Sequence, residues 1–146
     1  MQEITKRYGF IINQEKCLGC YTCVIACKME HKLDKGSYIR LETEGGNAMD
    51  TPAGKYPELS MYFCPQGCMH CEKPACQEVC PVAAIIKRED GIVLIKEEFC
   101  NGCGLCLDAC PYGAIKFAPE GKVVEKCDMC VSRVDQGLLP FCVICC

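Results

Sequence analysis

The chain has 146 residues, 18 of them cysteine, and a formal net charge of −3. Half of it counts as apolar only because cysteine is included, so the side-chain core is thin and the composition marks a disulfide or metal scaffold. A net negative chain with scattered basic residues excludes a nucleic-acid partner, which needs clustered positive charge, and no apolar run approaches the ~18 residues of a membrane span.

The start, Met1 to Phe10, carries Lys6 and Arg7 with no long apolar region behind them. It does not read as a secretory signal. Without an oxidising compartment the thiols are expected reduced or metal-bound rather than paired in disulfides. The first cysteine group follows: Cys17-Leu-Gly-Cys20-Tyr-Thr-Cys23-Val-Ile-Ala-Cys27. A short helix is expected from Val24-Ile25-Ala26 onward, with Lys28, Lys32 and Lys35 on its solvated face. Tyr38 to Leu41 is a candidate short strand. The stretch from Gly45-Gly46 to Pro57, with two Gly and two Pro, reads as a surface loop joining two modules.

Group two is Cys68-Met-His-Cys71-Glu-Lys-Pro-Ala-Cys76-Gln-Glu-Val-Cys80-Pro81. After it, Ala84-Ile85-Ile86-Lys87 reads as a strand, Glu89-Asp90-Gly91 as a turn and Ile92-Val93-Leu94-Ile95 as the returning strand. Group three, Cys100-Asn-Gly-Cys103-Gly-Leu-Cys106-Leu-Asp-Ala-Cys110-Pro111, repeats the plan. Its hairpin is Ala114-Ile115-Lys116-Phe117, a turn at Pro119-Glu120-Gly121, then Val123-Val124. Group four has Cys127-Asp-Met-Cys130, eleven residues, then Cys142-Val-Ile-Cys-Cys146. The four groups are an internal repeat.

Groups one and three share the spacing C-x2-C-x2-C-x3-C. A [4Fe–4S] cluster needs four thiolates around a compact cube, and this spacing loops the chain tightly round one. Gly19, Gly102 and Gly104 allow the turns that aim backbone N–H groups at sulfur. The fourth cysteine lies on the following helix and faces away. In two-cluster ferredoxins it ligates the other cluster, and the proline after it marks the exit. The competing reading is structural zinc, which uses C-x2-C pairs with longer spacers. Cys127 and Cys130 alone fit zinc about as well as iron; the denser groups carry too many ligands for one ribbon site. Sixteen cysteines thus fall into four groups, and four [4Fe–4S] clusters are the expected cofactors. With about −2 per thiolate-bound cluster, the loaded chain carries about −11.

Cys64 and Cys145 are left over and read as ordinary thiols, although Cys145, beside Cys146, is a substitute ligand. His70, between two ligands, either donates a hydrogen bond that tunes a cluster or simply packs, and packing is the favoured reading. No dinucleotide fingerprint is present, so the residues leave little for a catalytic site. Three functions compete: an electron relay, an enzyme and a structural metal module. Iron and sulfide content separates the first from the last.

The four groups, in this order and spacing, resemble the four-cluster electron-transfer subunits of molybdenum and tungsten pterin oxidoreductases. These include the small subunits of dimethyl sulfoxide, thiosulfate and polysulfide reductases. The similarity runs from about Cys17 to the end and is especially close at Lys126-Cys127-Asp-Met-Cys130 and Asp135-Gln136-Gly137-Leu138-Leu139-Pro140. The short chain is also similar to the polyferredoxin subunits of tungsten aldehyde oxidoreductases. Family members usually continue past the last cysteine, whereas this sequence stops at Cys146.

The resemblance implies a nested pairing. Cys17, Cys20 and Cys23 share a cluster with Cys146, and Cys27 joins Cys127, Cys130 and Cys142. Cys68, Cys71 and Cys76 pair with Cys110, and Cys100, Cys103 and Cys106 with Cys80. The implied fold is α+β: two bacterial-type 2[4Fe–4S] ferredoxin-like modules of short helices and β-hairpins, one inserted in the other. The outer module takes residues 1–58 and 119–146, the inserted one 59–118. The implied partners are a large catalytic molybdenum or tungsten pterin subunit and a second redox partner: a flavoprotein, a ferredoxin or a membrane quinone subunit. The expected location is the cytoplasm, with co-export to the periplasm alongside a partner as the alternative.

Overall fold

The computed structural model describes residues 7–44 and 51–146. In chain order, a 3-10 turn at Gln14–Lys16 precedes helix α1 (Thr22–Glu30) and strands β1 (Arg40–Glu44), β2 (Ala53–Lys55), β3 (Glu58–Ser60) and β4 (Tyr62–Gln66). Helix α2 (Ala75–Glu78), strands β5 (Ile85–Lys87) and β6 (Val93–Ile95), a 3-10 turn at Glu97–Phe99, helix α3 (Leu105–Ala109) and strands β7 (Ile115–Phe117) and β8 (Val124–Lys126) follow. Helices α4 (Val131–Val134) and α5 (Phe141–Ile144) close the chain. The strands form four separate antiparallel pairs: β1 with β4, β2 with β3, β5 with β6 and β7 with β8.

Chain contacts divide the structure into two compact units. Among the described residues, the first unit comprises 7–9 and Gly67–Pro140, the second Phe10–Gln66 and Phe141–Cys146. This line falls elsewhere than the division at 58 and 119 drawn from the resemblance. It splits group four, leaving Cys127 and Cys130 in the first unit and Cys142 and Cys146 in the second.

The first unit is built on the repeated cysteine–hairpin plan. Its core is Ile85, Val93, Cys106, Ile115 and Val124, with Cys76, Cys80, Cys100 and Cys110 packed against it. Both hairpins fall within a residue or two of the sequence expectation, because each has β-branched residues between Gly-containing turns. A second cluster of Ile92, Met129 and Val134, with Tyr8 and Leu94 against it, fastens α4 to the β5–β6 hairpin. Arg88 reinforces this contact by reaching both carboxylate oxygens of Asp135, at 2.6 and 3.0 Å. The pairing holds the Asp135 carboxyl below its ordinary range, chiefly through the Arg88 hydrogen bond. Asp135 is largely solvated, so the pair adds orientation more than stability.

In the second unit α1 packs on α5, and Ala26, Cys27, Leu41 and Cys142 are buried. Three expectations change here. The strand expected at Tyr38 to Leu41 is displaced to Arg40–Glu44 by its partner β4, in the register Leu41↔Pro65 and Glu42↔Cys64. Proline is tolerated in β4 because both strands of a two-stranded ribbon are edges. The stretch expected as loop holds β2, whose pairing with β3 needs no apolar alternation because β3 is exposed along its length; residues 45–50 lie outside the described residues. The helices also begin earlier than expected. They start one residue before the third cysteine of each group, placing Cys23, Cys76, Cys106 and Cys142 at the second helical position.

Candidate metal centre

All eighteen cysteines carry free thiols, and Cys27, Cys106, Cys127, Cys130 and Cys142 are buried. The backbone that presents them repeats. The residue before the second cysteine of every group has positive φ: Gly19 at 67°, His70 at 44°, Gly102 at 68° and Met129 at 61°. In groups one and three a second such residue precedes the helix, Tyr21 at 60° and Gly104 at 79°. Alternation of left- and right-handed residues turns successive N–H groups to one side and makes an anion-binding concavity, as a polythiolate centre requires. The left-handed state is strained for a non-glycine residue, and Tyr21, His70 and Met129 all adopt it at these loops. Gly102 has a further reason to be glycine: a Cβ there would lie 2.5 Å from the Lys122 carbonyl oxygen.

Cys80, Cys100, Cys103 and Cys106 line a single cavity in the first unit, walled by Ile85, Ile95 and Val124. Burial pushes the Cys106 thiol up to about 11, and the charges of Cys100, Cys76 and Cys103 add to the rise. The buried Cys106 thiol resists ionisation in this apolar cavity, and a metal cluster relieves that resistance by taking the thiolate charge. The donor set fits an iron–sulfur cube; the hydrogen bond from the Ala84 N–H to Cys80 Sγ, at 3.3 Å, is of the kind that tunes one.

Group two shows the same coupling. Burial raises the Cys76 thiol, the charges of Cys68 and Cys110 raise it further, and Lys126 opposes them. Cys71 follows the left-handed His70 in the same loop. Cys110 Sγ accepts the Ala114 N–H at 3.4 Å, the counterpart of the Ala84 bond, each set by a left-handed residue after Cys-Pro: Ala83 at 49° and Gly113 at 55°.

In the second unit burial raises the Cys23 thiol, and Cys146, Cys17 and Cys20 add to it. These four therefore share one electrostatic neighbourhood although Cys146 ends the sequence. Hydrogen bonds with Thr22 act the other way on exposed Cys20 and lower its thiol pKa. Of the remaining set, Cys27 and Cys142 lie on or in the packed helices α1 and α5. Cys127 and Cys130 lie in the first unit, where the Met129 N–H reaches Cys127 Sγ at 3.4 Å.

The residues outside the ligand groups sort differently. Cys64 sits half-buried on β4, and the Cys145 N–H closes the last turn onto the Phe141 carbonyl. His70 is buried and accepts the Val93 N–H at Nδ1, 2.9 Å away, while its Nε2 has no partner among the described residues. Burial, with the Lys126 charge second, lowers its pKa to about 3. It thus ties the group-two loop to β6, a packing role with one polar atom left over. Sequence reasoning missed the buried Lys126 and the strained positions; the shared place before each second cysteine was the available signal.

Residues 59–146 match the model of the 4Fe–4S dicluster domain, and residues 14–30 match that of a 4Fe–4S binding domain. One chain of the anaerobic dimethyl sulfoxide reductase of Escherichia coli K12 is 41% identical over 98% of this chain and 71% of its own length. A Halobacterium salinarum protein, provisionally named as a dimethyl sulfoxide reductase iron–sulfur subunit, is 42% identical over 95% of this chain and 62% of its own. One subunit of the tetrathionate reductase of Salmonella typhimurium is 36% identical over 96% and 54%. The chain thus spans between about half and about seven-tenths of the length of these relatives. With the thiol-lined cavity and the repeated loops, this similarity shows an iron–sulfur protein of [4Fe–4S] type: it belongs to the 4Fe–4S dicluster family, among the iron–sulfur chains of the anaerobic dimethyl sulfoxide reductase kind.

Proposed function

We propose that the chain carries four [4Fe–4S] clusters and relays single electrons along them for a large molybdenum or tungsten pterin catalytic subunit. The observation that carries the reading is the cavity lined by Cys80, Cys100, Cys103 and Cys106. It joins the last cysteine of group two to the first three of group three, the exchange of ligands characteristic of paired clusters. The proposed sets are those four; Cys68, Cys71, Cys76 and Cys110; Cys17, Cys20, Cys23 and Cys146; and Cys27, Cys127, Cys130 and Cys142. On this reading two ferredoxin-like modules are nested, one within the other.

Bound clusters supply one-electron carriage. The chain's own part is to hold thiolates, bury them and aim N–H groups at sulfur, which sets potentials. Bond-making on a substrate belongs to the partner's cofactor, so this is a non-catalytic subunit. A flavoprotein, a ferredoxin or a membrane quinone subunit serves as its second redox partner. The complex is proposed to work in the cytoplasm, with co-export to the periplasm as the alternative, and no helix among the described residues is long and apolar enough to cross a membrane.

Native anaerobic purification tests the proposal. A large subunit containing molybdenum or tungsten is expected to co-purify with the chain, and isolated chain is expected to lack turnover. A solitary monomer that turns over a substrate without an added partner would overturn the reading.

A further inference from the structure

His70 keeps one polar atom that its packing role does not use. The residue is 7% exposed, and its Nδ1 accepts the Val93 N–H at 2.9 Å. A neutral imidazole that accepts at one nitrogen carries its proton on the other. Nε2 is therefore an N–H donor, buried and without a partner among the described residues. A buried donor left unpaired costs its lost hydration, and leucine or phenylalanine would pack there without that cost. The charged groups that act on the ring offer it no free acceptor. Lys126 has donors only. The Asp90 carboxylate accepts elsewhere, Oδ1 from the Ile92 N–H at 3.2 Å and Oδ2 from Arg88 at 2.9 Å.

The placement of the ring points to the acceptor. His70 lies between Cys68 and Cys71 on one loop, in the left-handed region at φ 44°. Its anchor, Val93, belongs to the apolar core against which Cys76 and Cys110 pack. Two of the four proposed ligands thus flank His70 along the chain, and the other two pack on the core that holds it. A cluster brings thiolate and sulfide sulfurs to that place, and these accept hydrogen bonds.

We infer that His70 Nε2–H donates a hydrogen bond to a sulfur of the cluster held by Cys68, Cys71, Cys76 and Cys110, and so raises that cluster's reduction potential. The inference rests on the four-cluster reading above. On taking one electron from its redox donor the cube goes from about −2 to about −3. A donor aimed at sulfur stabilises the more negative state more. The proton stays on Nε2 in both states, so one electron enters and no bond to hydrogen forms or breaks. The Val93 N–H fixes both the tautomer and the orientation of the ring.

The test is pulsed EPR of the reduced full chain, grown with histidine enriched in the heavy nitrogen isotope, together with anaerobic redox titration. Iron and sulfide are measured first. Their content tests the cluster reading; the nitrogen coupling and the potential test the histidine. The signal altered by Cys71→Ser should carry a histidine nitrogen coupling. His70→Asn should abolish that coupling and move the same midpoint potential to a more negative value. Asparagine tolerates the left-handed backbone, and its Oδ1 can still accept the Val93 N–H, but its amide does not reach as far as Nε2. A residue that only packs would show neither change. No histidine coupling on that signal in the loaded wild-type chain, a coupling that survives His70→Asn, or an unmoved potential in the loaded variant would overturn the inference. If His70→Asn fails to load, the labelled wild-type chain decides alone: coupling on the Cys71-dependent signal supports the hydrogen bond, and its absence overturns it.

Discussion

Stripping the iron with a chelator under anaerobic conditions unfolds the chain. Among the described residues fifteen hydrophobic residues are buried, and five of them are the cysteines Cys27, Cys106, Cys127, Cys130 and Cys142. The large aliphatic side chains among them that are almost wholly buried are few: Ile85, Ile92, Val93 and Val124. The ten non-cysteine residues are spread over two units, and no sheet among the described residues exceeds two strands. A two-stranded hairpin is marginal alone in water, and four-residue helices lie far below the length at which helices persist unaided. Left-handed Tyr21, His70 and Met129 add strain that a bound centre offsets. Cluster binding is then folding energy. Circular dichroism should show loss of secondary structure and of any cooperative melt after chelation. An apo chain that still melts cooperatively would contradict this.

The second large effect is that Cys146→Ser and Cys17→Ser damage the same cluster from opposite ends of the sequence. The Cys23 thiol senses Cys146, Cys17 and Cys20 together, and packing of α5 on α1 brings the terminus there. Each variant should alter the same EPR signal and lose about one cluster's share, roughly four irons at most, while the other three signals persist. Cys145, half-buried beside Cys146, offers a replacement thiol, so the decisive variant is Cys145→Ser with Cys146→Ser. Four intact clusters in that double variant would show the set to be wrong.

Cluster chemistry was legible in the sequence because ligand spacing is a local, covalent constraint: four thiolates round a cube fix the intervals in groups one and three almost by themselves. The β5–β6 and β7–β8 hairpins were legible for the same reason, since apolar strands and Gly-containing turns lie within a dozen residues. The β1–β4 pair was not. Its partner strand lies some twenty residues on and contains Pro65, which argues against a strand when read alone. Nor did composition separate Lys126 from the solvated lysines, because burial of a charge is a tertiary property. The contacts of Arg88, Asp135 and the Met129 cluster, which fasten Cys127 and Cys130 to the β5–β6 hairpin, are tertiary in the same way.

The most direct measurement of the central claim is the stoichiometry of the chain after anaerobic reconstitution. The account predicts about sixteen irons and sixteen acid-labile sulfides per chain, four of each at every site. A plateau near eight irons would eliminate two of the proposed clusters, and zinc without sulfide would contradict the electron-relay function altogether.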